Sequence, residues 1–457
     1  MTTPQLSGAR RRVLMFAYYF PPLGGGGVQR TAKYVKYLPS EGFEPIVVTG
    51  SQRGFMLRDA SLSADVPSGT VIRRARALPL QTAQWKLDGL LRRAGLPTKL
   101  VNEVLWPDAH IGWLPGAVLG GLRAVRDHQP DVIYSTSSPT TAHLAALIVH
   151  NLTGIPWVAD FRDSWLFNPL DPRTGSYPPL TRASEALERK IVAEASYVTF
   201  ADETMEACGL GTDDPRRVVI CNGVDPDDLP PVGSHPAPST DRFRLSYVGS
   251  FYGSHDGAET FAAIRDLMER GELDPRTFEL RIVGHAEVER DKLDSLPVSF
   301  TGYVNHDQAL AEMAGASALL YSRPPGDRVL SGKIFEYLTS GRPVLSVAHP
   351  DSLASRLVRE LGAGWCADVR DPRAVAEALR EALTDWRRGA IGLDPGVREE
   401  VLRRYSRRKL AGELAEVLRA TVDAGATAAS TPTGTAPAAP AAPATQAPAP
   451  SASLAPA

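Results

Sequence analysis

Cysteine is scarce in this chain, and neither a long apolar run nor an excess of one charge is present. The 457 residues include three cysteines without a CxxC pair, so neither a disulfide framework nor a zinc site is indicated. No stretch approaches the roughly 18 uncharged apolar residues that would span a bilayer. Lysine and arginine number 50 against 52 acidic residues, which does not suggest a nucleic-acid binder. These absences favour a reducing, cytoplasmic compartment.

The apolar stretch nearest the N-terminus follows three arginines, as the start of a secretory signal would. It runs from Val13 to Phe20 and ends at two prolines with no small-residue cleavage pattern. We therefore expect a buried strand there rather than a signal peptide.

The chain is too long for one hydrophobic core, so we expect two domains. Short apolar runs alternate with helical patterns between residues 13 and 221, and the alternation resumes between 243 and 347. Such alternation predicts an α/β protein with two Rossmann-like, doubly wound parallel sheets facing a central cleft. The predicted boundaries are 1–228 for the first domain, 229–241 for a linker, 242–422 for the second domain with a final helix, and 423–457 for a disordered Ala/Pro-rich tail.

A glycine run follows the first predicted strand and opens a helix. Its residues, Gly24 to Gly27, leave backbone N–H groups accessible to a phosphate. A dinucleotide fingerprint would need a further glycine where Gln29 or Arg30 stands, so we exclude NAD and FAD. A connecting loop without a ligand is the alternative.

The stretch from Ser322 to Leu345 combines a strand, a loop, a helix and a strand. Gly332 and Lys333 fall in the first helical turn, where free N–H groups, the helix dipole and an ammonium favour a diphosphate. Glu336 shares a helix face with Lys333 and could accept hydrogen bonds from ribose hydroxyls. The alternative is an ordinary ion pair on a solvated helix.

This stretch resembles the donor-site signature of retaining GT-B glycosyltransferases of the family 4 type, a bacterial group active in polysaccharide and glycoconjugate assembly. The likeness covers residues 12–420 and includes four further stretches, 20–27, 159–165, 221–225 and 247–252. It implies sugar transfer, with retention, from a UDP- or GDP-sugar bound by the second domain to an acceptor bound by the first. The nucleotide sugar is then a substrate, and no cofactor is expected.

The resemblance also assigns donor-binding residues. It implies that Gly26 and Gly27 approach the donor phosphates or the transferred sugar, that Lys333 contacts the diphosphate and that Glu336 contacts the ribose. Two departures stand out: Arg328 occupies the place of a glutamate that contacts the sugar, and Gly249 and Ser250 stand where many members carry an arginine and a lysine. We expect the missing positive charge to come from Lys333 with Arg323 or Arg328, beside the two glycines Gly249 and Gly332.

Three charged residues follow a predicted strand of the first domain on the cleft side, namely Asp160, Arg162 and Asp163. We predict that they form the catalytic group, with Asp163 positioning or deprotonating the acceptor. A structural ion pair between Arg162 and Asp163 is an equal alternative. His143 is expected to be a packed core histidine.

We predict that no metal is required, because no Asp-x-Asp pair lies on a suitable loop. The pairs Asp213-Asp214 and Asp227-Asp228 flank the linker region and are expected to be capping or solvated residues.

The acceptor remains open between a glycan, a lipid-linked sugar and a small molecule. Residues 78–121 mix leucine and tryptophan with lysine and arginine, which favours either peripheral contact with the inner face of the cell membrane or a core helix with a basic outer face. Two further functions compete with sugar transfer. One is a nucleotide-sugar epimerase of GT-B fold, and the other is a catalytically silent sugar-nucleotide-binding partner, which Arg328 would suit.

Overall fold

A computed structural model describes residues 10–51, 59, 61–93, 105–166, 178–231, 240–251, 255–288 and 293–430. Within them the chain forms two parallel sheets, each covered by helices, as the alternation predicts. Most of the predicted linker and the tail from residue 431 onward lie outside the described residues. No helix in the described part combines the length and apolarity needed to cross a bilayer.

The first sheet has seven strands in the order β3-β2-β1-β4-β5-β6-β7. Its strand order reverses between β1 and β4, which is the position where doubly wound sheets bind ligands. The strands are β1 Arg11–Phe16, β2 Phe43–Gly50, β3 Val71–Ala75, β4 Val132–Ser137, β5 Trp157–Phe161, β6 Tyr197–Phe200 and β7 Arg217–Val219. The helices are α1 Gly26–Tyr37, α2 Leu80–Arg93, α3 Leu114–His128, α4 Thr141–Thr153 and α5 Pro178–Glu194.

The second sheet has six strands in the order β10-β9-β8-β11-β12-β13, with its reversal between β8 and β11. The strands are β8 Phe243–Val248, β9 Phe278–Val283, β10 Val298–Gly302, β11 Ala318–Ser322, β12 Val344–Ala348 and β13 Gly364–Asp368. The helices are α6 Ala258–Glu269, α7 His306–Ala314, α8 Lys333–Thr339, α9 Leu353–Glu360 and α10 Pro372–Arg387. Side chains cap three of these helices at their N-termini: Asn305 for α7, Ser352 for α9 and Asp371 for α10.

The last two helices, α11 Pro395–Tyr405 and α12 Arg407–Ser430, carry the chain back across the molecule. Leu410, Leu414 and Leu418 are spaced four apart and pack into the core behind the first sheet, with Val13 and Val47. The final helix was expected to end at residue 422 as part of the second domain; it instead continues to residue 430 and covers the first. Its leucine stripe explains the difference, because the apolar outer face of the first sheet is the surface that buries it.

The sequence analysis missed two of the four edge strands, β3 and β13, whereas it predicted β7 and β10. In β3 and β13 only Ala75 and Ala367 are buried, so neither strand has the continuous apolar run that identifies the central strands.

Candidate active site

Lys333 lies at the first turn of α8 and points across the carboxyl end of the second sheet toward Gly249. A Cβ built on Gly249 would stand 1.8 Å from the Lys333 Nζ atom, so only glycine leaves room for the ammonium. Gly249 also has a φ of 155°, which side chains disfavour. Nζ lies 5.5 Å from the centre of the Tyr247 ring, and no described residue accepts a hydrogen bond from it. The amine is therefore held in place at the cleft and available to an anion.

Burial is the main cause that lowers the pKa of Lys333, and the nearby charge of Arg323 adds to it. The charge of Glu336 raises the pKa by less, so the resulting value is about 8. Burial likewise raises the pKa of Glu336, against the charges of His306, Arg407 and Lys333. No ion pair within 4.0 Å joins Lys333 to Glu336, so the surface pair considered as an alternative is not formed. Neither group has an ion-pair partner among the described residues.

The loop before α8 is tied to the first domain. The Leu330 N–H donates to the carboxylate of buried Asp202 at 3.0 Å, and the Ser331 N–H donates to the Tyr321 hydroxyl at 3.2 Å. A Cβ on Gly332 would lie 3.4 Å from the Asn222 side chain, across the domain interface. The loop therefore presents Lys333 from a fixed backbone.

The two arginines of this loop have different surroundings. Arg323 forms an ion pair with Asp327, which is buried and also accepts the Val329 N–H at 2.9 Å. Arg328 is exposed, and its Nη2 lies 3.1 Å from Nε2 of His349. Arg323 is thus the one of the two whose charge acts on Lys333.

On the first domain, the glycine run enters α1 through Gly25, whose φ is 100°. The carbonyl of Gly27 accepts a hydrogen bond from Arg162, and a Cβ at Gly27 would lie 3.2 Å from Arg162 Nη2. Gly26 is the first residue of α1. The glycine loop and the end of β5 are therefore in direct contact, as the predicted cleft requires.

Arg162 is buried, and its Nη2 lies 3.1 Å from both the Ser138 carbonyl and the Asp163 carboxylate. The ion pair considered as an alternative is thus present. The Asp163 side chain is 47% exposed, however, so the carboxylate also faces solvent. Its predicted part in acceptor binding is compatible with the pair and stays a prediction.

Asp160 is completely enclosed beneath this surface. Its carboxylate accepts hydrogen bonds from Arg30 at 2.8 and 3.0 Å and from the hydroxyls of Tyr134, Thr136 and Thr199. Burial raises the pKa of Asp160, but the charge of Arg30 and these hydrogen bonds outweigh burial and lower it to about 2. A catalytic part for Asp160 would therefore act through the groups that surround it.

Two family models match the chain in sequence. The glycosyl transferase 4-like domain matches residues 25–223, and glycosyl transferases group 1 matches residues 242–385. Together they cover more than half of the chain. The chain belongs to the GT-B glycosyltransferases. No curated protein sequence matches it significantly.

Solved structures share the fold of this glycosyltransferase at low sequence identity. Sucrose-phosphate synthase from Thermosynechococcus elongatus is 14% identical with a TM-score of 0.63, over 91% of this chain and 100% of that one. Trehalose-6-phosphate synthase OtsA is 12% identical with a TM-score of 0.61, over 90% and 99%. Anabaena HepE in complex with UDP and glucose is 15% identical with a TM-score of 0.58, over 90% and 99%. These likenesses show the GT-B fold.

Sequence reasoning missed the buried arginines of the glycosyltransferase. Arg30 donates to the Cys221 carbonyl at 3.1 Å, and Arg407 donates to the Asn222 side chain at 3.4 Å. Arg407 and Glu336 line the same small pocket between the domains. Arg30 was detectable as a charge among the apolar positions of α1, whereas Arg407 follows a helix break and gave no local signal.

Three acidic side chains of the glycosyltransferase are held close together by ion pairs with a lysine. Asp65, Asp225 and Asp228 bring carboxylate oxygens within 4.8 Å of one another, a spacing that would suit a metal. The Lys33 ammonium, however, lies 2.7 Å from an oxygen of each. Asp227 pairs with Lys36 at 2.9 Å. Asp227 and Asp228 are thus ion-paired rather than merely capping or solvated, because α1 brings two lysines to them.

His143 is the core histidine that the sequence predicts. It is fully buried, its Nδ1 lies 2.7 Å from the Ser135 hydroxyl, and burial lowers its pKa to about 4.

Proposed function

We propose that this enzyme transfers a sugar from a UDP- or GDP-sugar to a hydroxyl of a glycan, a lipid-linked sugar or a small molecule. The observation that carries the proposal is the Lys333 ammonium, which is seated against Gly249 at the cleft and has no hydrogen-bond acceptor among the described residues. A nucleoside diphosphate would supply the missing negative charge. The structure of HepE holds UDP and glucose, which favours UDP as the first nucleotide to test.

Departure of the nucleoside diphosphate places negative charge on a phosphate oxygen as the glycosidic bond breaks. Positive charges that are already fixed near that oxygen lower the barrier, because no group has to reorganise at the moment of reaction. In the proposed complex, Lys333 and the N–H groups of Gly332 and Lys333 meet the diphosphate, with Arg323 nearby. Gly26 and Gly27 approach from the first domain, and Glu336 accepts the ribose hydroxyls. We propose that these groups suffice without a metal ion, and that transfer proceeds with retention, as in the family that the sequence resembles.

We further propose that α2 brings the enzyme to the surface of an anionic membrane. Leu80, Leu87 and Leu90 are 38%, 49% and 62% exposed, and Lys86 and Arg93 are exposed on the same helix. This exposure favours an interfacial helix over a core-packing one. A lipid-linked acceptor would then reach the first domain from that surface.

Calorimetric titration with UDP, GDP, ADP and dTDP tests the donor site. We expect one nucleotide to bind at micromolar concentration and to lose affinity in both Lys333→Ala and Glu336→Ala. Binding that is indifferent to both substitutions would contradict this donor site.

Incubation with the corresponding nucleotide sugar then separates the three functions. A transferase releases nucleotide when an acceptor is present, an epimerase converts the sugar nucleotide by itself, and a silent partner binds it unchanged.

A further inference from the structure

Three polar side chains of the first domain lie next to one another at the carboxyl edge of the first sheet. Tyr19 follows β1, and Asp108 and His110 precede the short 3₁₀ helix Ile111–Trp113. The Tyr19 hydroxyl lies 3.2 Å from Nε2 of His110, and Nδ1 of His110 lies 3.7 Å from Asp108. An acid, an imidazole and a phenol are thus arranged in order.

Asp108 is fixed in this series by backbone and side-chain donors. Its carboxylate accepts the Thr141 N–H at 2.7 Å, the Thr141 hydroxyl at 2.9 Å and the His110 N–H at 2.8 Å. Burial raises the pKa of Asp108, but hydrogen bonds from His110 and Thr141 outweigh burial and lower it. The ionised carboxylate favours the imidazole tautomer with its proton on Nδ1, which leaves Nε2 as the acceptor for Tyr19.

The imidazole is held in one orientation but is not sealed from the cleft. The Tyr18 ring packs edge-on against it with ring centres 4.4 Å apart. The His110 side chain retains 15% exposure. A small molecule entering the cleft could therefore reach the Tyr19 and His110 pair.

Tyr19 lies between His110 and the charged residues at the end of β5. Burial raises the pKa of the Tyr19 phenol, the Arg162 charge lowers it, and Asp108 and Asp163 raise it. The phenol is thus within the electrostatic reach of both groups. Tyr19 belongs to the first domain, which binds the acceptor in the proposed function, whereas Lys333 belongs to the second.

We propose that Tyr19 and His110 activate the acceptor hydroxyl and that Asp108 is their positioning residue; this inference rests on the proposed function. The acceptor hydroxyl hydrogen-bonds to the Tyr19 oxygen. As the acceptor oxygen bonds to the anomeric carbon, its proton passes to Tyr19, and the Tyr19 proton passes to Nε2 of His110. The bond from the anomeric carbon to the diphosphate breaks, and the nucleoside diphosphate leaves with the electron pair. His110 then releases its proton to water.

The test uses the full chain and the nucleotide sugar selected by the titrations. Nucleotide release is followed with water and with a panel of p-nitrophenyl and octyl glycosides as hydroxyl donors. The variants are His110→Gln, Tyr19→Phe and Asp108→Asn. His128→Gln is the matched control, since His128 lies at the C-terminal end of α3, at the opposite edge of the sheet, 3.3 Å from Arg73.

General-base assistance contributes about 100-fold or more to such reactions, so we expect His110→Gln and Tyr19→Phe to lower kcat by about that factor. Nucleotide Kd should stay within twofold, and His128→Gln should match the wild type. The groups facing His110 are Asp108, Tyr18 and Tyr19, with Arg162 and Asp163 beyond Tyr19. Loss of the acid limb of the pH–kcat profile in His110→Gln, while Asp108→Asn shifts it, is a signature that a purely structural role would not produce.

The possible failures can be told apart. If the wild type binds no nucleotide, the proposed function fails first, and the relay with it. If nucleotide binds and the variants turn over within twofold of the wild type, the relay is refuted while the donor site stands. Nucleotide binding without release from any donor sugar would also refute the relay, because no hydroxyl would then be activated.

Discussion

Gly249→Ala is expected to weaken nucleotide binding at the proposed donor site although Lys333 itself is not replaced. The new Cβ would stand 1.8 Å from Nζ and 2.9 Å from Cε of Lys333, so the lysine side chain must move away. A hydrogen bond between charged groups is worth about 1.5–3 kcal/mol, and each 1.4 kcal/mol is about tenfold in affinity. We therefore expect nucleotide to bind about 10- to 100-fold more weakly, as measured by calorimetry.

The same substitution strains the backbone, and a second glycine isolates that effect. Gly249 has a φ of 155°, where alanine costs about 1–3 kcal/mol of stability. Gly271 has a φ of 70°, and a Cβ added there would meet no atom within 4 Å, so Gly271→Ala carries strain without a clash. Urea unfolding should show both variants destabilised, whereas only Gly249→Ala should lose nucleotide affinity.

A double-variant cycle makes the reasoning refutable. Because Gly249→Ala and Lys333→Ala act through the same ammonium, the double variant should bind nucleotide about as weakly as the weaker single variant. Losses that add in full, or an unchanged affinity in Gly249→Ala, would show that the amine does not meet the nucleotide from its place beside Gly249.

Three other outcomes follow from the same geometry. Nucleotide affinity should fall as pH rises above about 8, because the free enzyme then loses the Lys333 proton that a bound diphosphate retains; calorimetry should show proton uptake at pH 9, and none in Lys333→Ala. Asp160→Asn should lower the free energy of unfolding by about 3–5 kcal/mol in urea, since it leaves the buried charge of Arg30 without its partner; an unchanged midpoint would refute the pair's importance. Leu87→Ser with Leu90→Ser should abolish flotation with anionic vesicles, and failure of the wild type to float would refute the membrane contact.

Local patterns in the sequence were sufficient for the architecture and for placing the two candidate donor-site residues of α8 on one helix. Apolar runs separated by helical periodicity predicted both parallel sheets, because central strands buried on both faces must be continuously apolar. Lys333 and Glu336 could be proposed as donor-site residues for a similar reason. The strand, loop and helix that carry them are contiguous, so their spacing alone predicts one helix face at the end of a strand. The same contiguity located Arg162 and Asp163 after β5.

Tertiary packing determined which residues from distant segments of the chain contact one another. Lys333 meets Gly249, Asp160 meets Arg30 across 130 positions, and Tyr19 meets His110 across 91. The final helix covers the first domain because its leucines fit the outer face of that sheet. No local pattern records such pairings, since periodicity determines which face of an element is apolar but not which other element will cover it. Whether a charged residue becomes a buried partner or faces the cleft therefore depends on how the two sheets and their crossing helices come together.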